Sequence, residues 1–204
     1  MEKEVHLFIA WPNALHAVKN ILSDLSEHFL RLGVFNITWS DRYFENNMSR
    51  FYGRRLTDVA GKIEHCGRGT FVVAVLLDEQ PIYDYRWTSR GARWVNTRMF
   101  DAKQRYRKWV GGGHRIHATE NLEETDHDIA LLFGCTSGKF REQPTEYWKK
   151  PPIDLTHDLV GANGWRDLTE LFKVLNATQP YVVLRNFNNL PQLLNLDQHG
   201  DIDL

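Results

Sequence analysis

The sequence contains few cysteines, no long apolar run and almost no net charge. Cys66 and Cys135 are the two cysteines among 204 residues, and neither belongs to a CxxC pair, so a disulfide framework or a cysteine-rich zinc site has no support. No stretch of about 18 consecutive apolar residues is present, so we expect no membrane span. The 25 Lys and Arg balance 26 Asp and Glu, and nucleic acid binding is therefore not indicated.

The composition is that of a folded protein with a substantial core, because hydrophobic residues make up 42% of the chain. The first residues, MEKEVHLFIAWPN, combine a charged start with a short strand-like segment and lack the apolar core of a signal peptide. We therefore expect a cytoplasmic protein.

Strand and helix patterns alternate along the first half of the chain, which predicts an α/β fold with a mixed sheet and flanking helices. The segment 5–11 (VHLFIAW) predicts a buried strand, 15–32 has apolar residues at helical spacing, and 34–39 alternates like a second strand. We expect these two strands to pair in parallel. The apolar run 70–78 is typical of a central strand.

A hairpin and further helices are predicted downstream. Aromatic and polar residues alternate over 83–96 around Ser89-Arg90-Gly91, which is typical of a β-hairpin. Helical patterns follow over 99–109 and 122–133, the second with Asn121 or Thr119 as its cap.

The carboxyl-terminal part of the sequence predicts a second unit. A stretch rich in Gly, Pro, Lys and Asp predicts a linker, and a helix over 165–175 and a strand over 180–187 follow it. We therefore expect an α/β domain over 1–138, a linker over 139–162 and the start of a second α/β module over 163–204.

The stretch GGGHRIHATENLEETDHD (111–128) contains the densest set of candidate functional residues. Three consecutive glycines can adopt backbone angles closed to other residues, so their amides can cradle an anion such as phosphate. The candidate ligand-binding residues are Gly111, Gly112, Gly113, Arg115, Lys103 and Arg107, and the candidate catalytic residues are His114 and His117. The simpler alternative is a flexible helix-to-strand connection. A zinc site is disfavoured, because the HExxH pattern is absent and no spacing places a third ligand.

More basic residues precede this loop. These are Arg50, Arg54, Arg55, Lys62, His65 and Arg68. Together with the cluster from Lys103 to Arg115 they are candidates for a basic rim that steers an anionic substrate, although scattered cations on solvated helices are the commoner situation. We expect Cys66 to be structural, since nothing fixes a base beside it.

The segment GGGHRIHA resembles the glycine-rich GG-x-H-R-x-x-A stretch of the ParB and sulfiredoxin-like superfamily. The matching residues are Gly111, Gly112, His114, Arg115 and Ala118. The resemblance implies that the turn and the helix after it hold nucleotide phosphates. It also implies one alternative function, a ParB-like ATP-dependent kinase.

The last residues, HGDIDL, resemble the G-D-x-D pair of nucleotidyltransferase-fold proteins, with Gly200, Asp201 and Asp203 as the matching residues. Residues i and i+2 of a strand point to the same side, so both carboxylates can hold Mg²⁺ and position a nucleoside triphosphate. The resemblance implies that residues 163–204 are the start of a nucleotidyltransferase-like α/β module. Asp201 and Asp203 are therefore candidate catalytic and metal-binding residues. A solvent-facing acidic turn is the alternative.

A longer pattern runs from HLFIAW through W-x-G-G-G-H-x-I-H and E-T-x-H-D to HGDIDL. It resembles the amino-terminal region of an uncharacterised bacterial or viral nucleotidyltransferase-like family. The resemblance implies a protein that handles a nucleotide or phosphosugar, associated with surface-polysaccharide assembly, and an enzyme where the carboxyl-terminal module is complete. The alternative of a different class is a non-catalytic accessory domain that docks a downstream catalytic module.

Overall fold

The computed structural model describes residues 2–53, 56–88, 91–142, 148, 150–184 and 190–191. The strands are β1 (Glu4–Ala10), β2 (Leu30–Thr38), β3 (Phe71–Asp78), β4 (Tyr83–Thr88), β5 (Gly91–Asn96), β6 (Ile116–Ala118) and β7 (Ile153–Thr156). The helices are α1 (Val18–His28), α2 (Phe44–Tyr52), α3 (Val59–Cys66), α4 (Thr97–Trp109), α5 (Leu122–Phe133), α6 (Ser137–Arg141) and α7 (Leu168–Thr178), and a 3-10 segment (Pro12–Ala17) precedes α1.

Five strands form one mixed sheet in the order β6-β1-β3-β2-β7. The β1 strand is antiparallel to β3 and β6, β3 is antiparallel to β2, and β7 is parallel to β2. The predicted mixed α/β fold is confirmed, but the predicted parallel pairing of β1 with β2 is wrong. Strand β3 lies between β1 and β2 at the centre of the sheet, and all eight of its residues are buried.

Helices cover both faces of this sheet because successive side chains of a strand point to opposite sides. Val73 and Val75 of β3 face the core shared with α2, α3 and α5, whereas Val72 and Ala74 face the core shared with α1 and α4. Strands β1, β2, β3 and β6 with helices α1 and α4 have the β-α-β-β-α-β order of a ferredoxin-like unit. The chain returns from α4 along β6, which lies beside β1.

The predicted hairpin is confirmed as β4 and β5, in which Tyr85 pairs with Trp94. Its rings lie largely in solvent, and the side chain of Trp87 is 82% exposed. Hydrogen bonds anchor the base of the hairpin, because the Asn96 side-chain amide donates to Oδ2 of Asp78 at 2.9 Å. Ser89 and Arg90 lie outside the described residues.

Two carboxyl-terminal elements pack against the sheet and its helices, and one of them was predicted as a linker. Residues 153–156, within the predicted linker, form the edge strand β7, and the predicted helix is present as α7, which packs against α5. Residues 180–184 form no strand, contrary to the prediction for 180–187, of which the remainder lies outside the described residues. The division into two domains stays a prediction.

Helix α5 begins where its capping signal predicts. The Asn121 side-chain oxygen accepts a hydrogen bond from the Glu124 amide at 2.8 Å, so Asn121 is the cap. Thr119 is buried instead, where its hydroxyl accepts hydrogen bonds from the Leu7 amide and the Thr125 hydroxyl. In the part of the chain that the structure describes, no helix combines the length and the apolar character needed to cross a bilayer.

Candidate functional site

The three glycines of the loop end helix α4. Gly111, Gly112 and Gly113 have φ angles of 81°, 85° and 73°, a region that favours glycine. The Gly111 amide donates to the Lys108 carbonyl at 3.3 Å, and the Gly112 amide donates to the Arg107 carbonyl at 2.7 Å. Two of the three amides predicted to cradle an anion therefore bind helix carbonyls, at the helix end that carries partial negative charge.

Two further predicted ligand-binding residues also make contacts within the chain. The Arg115 guanidinium donates to the carbonyl of Val110, directly after the last residue of α4. The buried Lys103 ammonium forms an ion pair with Glu120. The charge of Lys103 is therefore balanced by a carboxylate, whereas Arg115 has one of its donors bound to a backbone carbonyl.

Four other basic side chains lie together at the loop, and we call them the basic cluster: Lys62 and His65 of α3, Arg107 of α4, and His114. The rings of His65 and His114 stack with centroids 5.7 Å apart. A glycine is needed at position 113, because a Cβ there would lie 3.3 Å from Nδ1 of His65 in addition to having an unfavourable φ. The Cys66 thiol also donates to the His114 carbonyl at 3.3 Å, which joins α3 to the loop.

Burial alters the basicity of this cluster. It lowers the pKa of Lys62 to about 8 and also lowers the pKa of Arg107. Burial lowers the pKa of His114 as well, with smaller effects from the positive charges of Lys62, Arg107 and His65. Among the residues that the structure describes, no carboxylate forms an ion pair with any member of the cluster. The positive charge of the cluster is therefore not balanced by a direct ion pair, and the nearby carboxylate of Glu120 acts on Arg107 only through a weaker electrostatic interaction.

His117 lies in β6 and is held by a buried carboxylate from α5. Its Nε2 is 2.7 Å from Oδ2 of Asp128, and Nδ1 of His127 is 2.9 Å from Oδ1 of the same carboxylate. His117 is 8% exposed and Asp128 is 2% exposed. Burial raises the pKa of Asp128, but the charges and hydrogen bonds of His117 and His127 outweigh it and bring the net pKa below its ordinary value.

Tyr52 connects His117 with the basic cluster. The centre of its ring is 3.9 Å from Nζ of Lys62 and 5.6 Å from the ring of His117. Its hydroxyl accepts a hydrogen bond from the Trp11 indole at 3.0 Å, and burial raises the pKa of Tyr52 well above its ordinary value. Arg107 approaches from the other side, since its Nε donates to the carbonyl of Ile116, next to His117, at 3.2 Å.

The structure thus brings together three of the predicted site residues, namely Arg107, His114 and His117. It adds Lys62 and His65, which the sequence placed only in a broad basic rim, and Asp128, the last residue of the stretch 111–128. The spacing of Lys62 and His65 on α3 could have indicated that they belong to one site, because residues three apart lie on one helix face. Asp201 and Asp203 lie outside the described residues.

Two other members of the predicted rim make contacts elsewhere in the chain. Arg50 donates to the carbonyl of Val160 at 2.6 Å, and Arg68 forms an ion pair with Glu45. Arg54 and Arg55 lie outside the described residues. In the described part of the chain, the one group of three side chains spaced like metal ligands is on α1, formed by Asp24, Glu27 and His28. It does not include the histidines of the loop.

Comparisons with known proteins find similarity among solved structures. No protein family model matches this chain, and a search of curated protein sequences found no match. Among solved structures, the chain is similar to a nucleoside diphosphate kinase from Aquifex aeolicus, with 19% sequence identity and a TM-score of 0.44. The similarity covers 63% of this chain and 93% of the kinase chain. At this distance it assigns no activity.

Proposed function

We propose that this protein binds the phosphate groups of a nucleotide or phosphosugar at the basic cluster and that His117 reacts with the bound phosphate. The observation that carries the proposal is the burial of Lys62 and Arg107 without an ion-pair partner among the described residues. Placing a charge in a poorly solvated position is costly unless an opposite charge compensates it. A bound anion supplies that charge, and phosphate suits a site that combines lysine, arginine and histidine donors.

The hydrogen bond to Asp128 supports a chemical role for His117. An ionised carboxylate only accepts, so Nε2 of a neutral His117 carries the proton and Nδ1 keeps its lone pair. A carboxylate that fixes an imidazole in this way prepares the other nitrogen as a base or nucleophile. We propose that Nδ1 attacks the terminal phosphorus. The N–P bond forms as the bond from phosphorus to the bridging oxygen breaks, and the shortened nucleotide leaves with that oxygen's electron pair.

Thermal stability tests the binding step. A panel of nucleoside triphosphates, diphosphates and sugar nucleotides, each with Mg²⁺ or EDTA, is added to the wild type and to Lys62→Met, Arg107→Met and Lys108→Met. Lys108 is the matched control, because it is an exposed cation of the same helix. A ligand at a hundred times its dissociation constant adds about 2.7 kcal/mol to the free energy of unfolding. We expect this gain in the wild type and Lys108→Met but not in the other two variants. Equal gains in all four, or none in any, would contradict the proposal.

Labelling tests the chemical step separately. The protein is incubated with nucleoside triphosphate labelled at the terminal phosphate and then examined for an acid-labile, base-stable phosphoryl group. We expect label on the wild type and His127→Gln, less on Asp128→Asn and none on His117→Gln. If ligand binds but the wild type is never labelled, or if His117→Gln is labelled equally, His117 is not the nucleophile.

The carboxyl-terminal motif supports a further part of the proposal, in which Asp201 and Asp203 bind Mg²⁺ for nucleotidyltransferase-like chemistry. Its support is the G-D-x-D spacing alone. In the thermal panel, Asp201→Asn with Asp203→Asn is expected to remove the difference between the Mg²⁺ and EDTA samples. An unchanged difference would show that another group binds the metal.

A further inference from the structure

The stacked pair of His65 and His114 occupies the exposed side of the basic cluster, whereas Lys62 and Arg107 are mostly buried. Both imidazoles belong to exposed residues, and their rings are inclined by only 26°. An anion that enters the cluster from solvent therefore meets this pair. The charge that these imidazoles offer to an anion depends on pH, unlike that of arginine, because histidine changes charge near neutral pH.

The groups that surround His114 set its charge when no ligand is bound. They are Lys62, His65 and Cys66 from α3 and Arg107 from α4. Burial first, and then the charges of Lys62, Arg107 and His65, lower the pKa of His114. Adding one more proton to a cluster that already holds Lys62 and Arg107 is therefore unfavourable until a negative charge arrives.

The other ionisable groups of the site keep the same protonation state over the pH range in which histidine side chains titrate. Burial raises the pKa of Cys66 to about 11 and that of Tyr52 well above its ordinary value, so both stay neutral. The pKa of Lys62 is about 8, so Lys62 stays mostly charged below pH 7. His117 faces the carboxylate of Asp128, on the far side of Tyr52. Between pH 5.5 and 7, Lys62, Cys66 and Tyr52 therefore contribute little to any change in charge at this site.

We propose that anion binding at the basic cluster is coupled to protonation of His114, whose ring stacks on that of His65. The site therefore takes up a proton when it binds an anion, and it binds the anion more tightly as the pH falls below 7. The inference rests on the proposed function, since it describes regulation of the same site. A bound anion favours the charged imidazole. By linkage, the charged imidazole favours the anion by the same factor.

Inorganic sulfate is the probe that isolates this coupling, because its own charge is constant between pH 5.5 and 7.5. Its dissociation constant is measured across that range for the wild type, His114→Gln, His65→Gln and His28→Gln. His28 is the matched control, an exposed histidine of α1 outside the cluster. The unfolding temperature of each variant shows whether it is folded.

We expect the wild type and His28→Gln to bind sulfate several-fold more tightly at pH 5.5 than at 7.5. One coupled proton gives at most about tenfold per pH unit. We expect His114→Gln to lose most of this dependence and His65→Gln to alter it. Calorimetry in two buffers of different ionisation enthalpy is expected to show fractional proton uptake in the wild type that His114→Gln lacks.

The outcomes separate this inference from the proposed function. If sulfate binds and requires Lys62 and Arg107, but its affinity is flat with pH or equally dependent in His114→Gln, the coupling is absent and the binding site stands. If sulfate fails to bind even at pH 5.5, or binds equally well to Lys62→Met and Arg107→Met, both proposals are overturned.

Discussion

The imidazole Nε2 of His117 lies 2.7 Å from the carboxylate Oδ2 of Asp128, and both side chains are almost fully buried. The pair joins the edge strand β6 to α5 across eleven residues of sequence. It therefore has a structural role in addition to any chemical one.

We first predict that Asp128→Asn lowers the free energy of unfolding by about 2 kcal/mol at neutral pH, because it removes hydrogen bonds to a buried charged group. The net pKa of Asp128 lies below its unfolded value, so the stabilisation is complete above the ordinary value of 3.8 and is lost as the pH falls through the folded value. Urea unfolding of both proteins from pH 3 to 7 measures this. The difference should shrink towards pH 3, and a difference independent of pH would contradict the assignment.

Arg115 should matter for the stability of α4 rather than for ligand affinity. Its guanidinium binds the Val110 carbonyl at the end of that helix. We expect Arg115→Ala to lower the free energy of unfolding by about 1 kcal/mol, as loss of one hydrogen bond does, while nucleotide affinity changes less than in Arg107→Met. Denaturant unfolding and ligand titration measure the two effects. If Arg115→Ala abolishes binding in a folded protein, its guanidinium contacts the ligand.

The loop requires glycine at position 112 for backbone reasons alone. A Cβ there would meet no atom within 4 Å, but φ is +85°. We expect Gly112→Ala to cost about 1–2 kcal/mol, because a side chain disfavours this region, and Gly112→Asn to cost less. Gly138→Ala in α6 is the control, since its Cβ has ordinary contacts and no positive φ. Equal unfolding temperatures for wild type and Gly112→Ala would refute the strained geometry.

Cys66 should react slowly with thiol reagents in the native protein. Its side chain is fully buried, and burial raises its pKa to about 11 from 9.0 despite the opposing charges of Lys62 and Arg107. At pH 8 its thiolate fraction falls about a hundredfold relative to the unperturbed thiol. Iodoacetamide modification of a Cys135→Ala variant, native and in urea, measures the rate. Similar rates in both states would contradict this burial.

Local patterns predicted the elements better than their pairing. The strand signals at 5–11 and 70–78, the hairpin and the Asn121 cap each depend on residues near one another in sequence, and the structure contains them. The choice of strand partner depends on the whole sheet. The fully buried β3 lies at the centre of the sheet, a position that no periodicity within β1 or β2 reveals.

The same difference between local patterns and tertiary contacts explains which features of the candidate site could be predicted. The sequence located the loop, but whether its glycine amides are free depends on how α4 ends, and the Gly112 amide is bound to the Arg107 carbonyl. Lys62 lies some fifty positions earlier, so its approach to His114 requires the folded chain. The number of basic residues near the glycine loop identified this region from sequence. Only the structure shows which of them form ion pairs, as Lys103 does, and which do not, as with Lys62 and Arg107.

The edge of the sheet at β6 shows a last consequence of the two cations on α4. Among the described residues no strand pairs with the outer side of β6, yet Arg107 donates to the Ile116 carbonyl at 3.2 Å and Lys103 to the Ala118 carbonyl at 3.5 Å. Positive side chains thus occupy backbone acceptors that a strand from another molecule would need. Replacing both should leave a template for intermolecular β-pairing, so these residues also protect the protein against self-association.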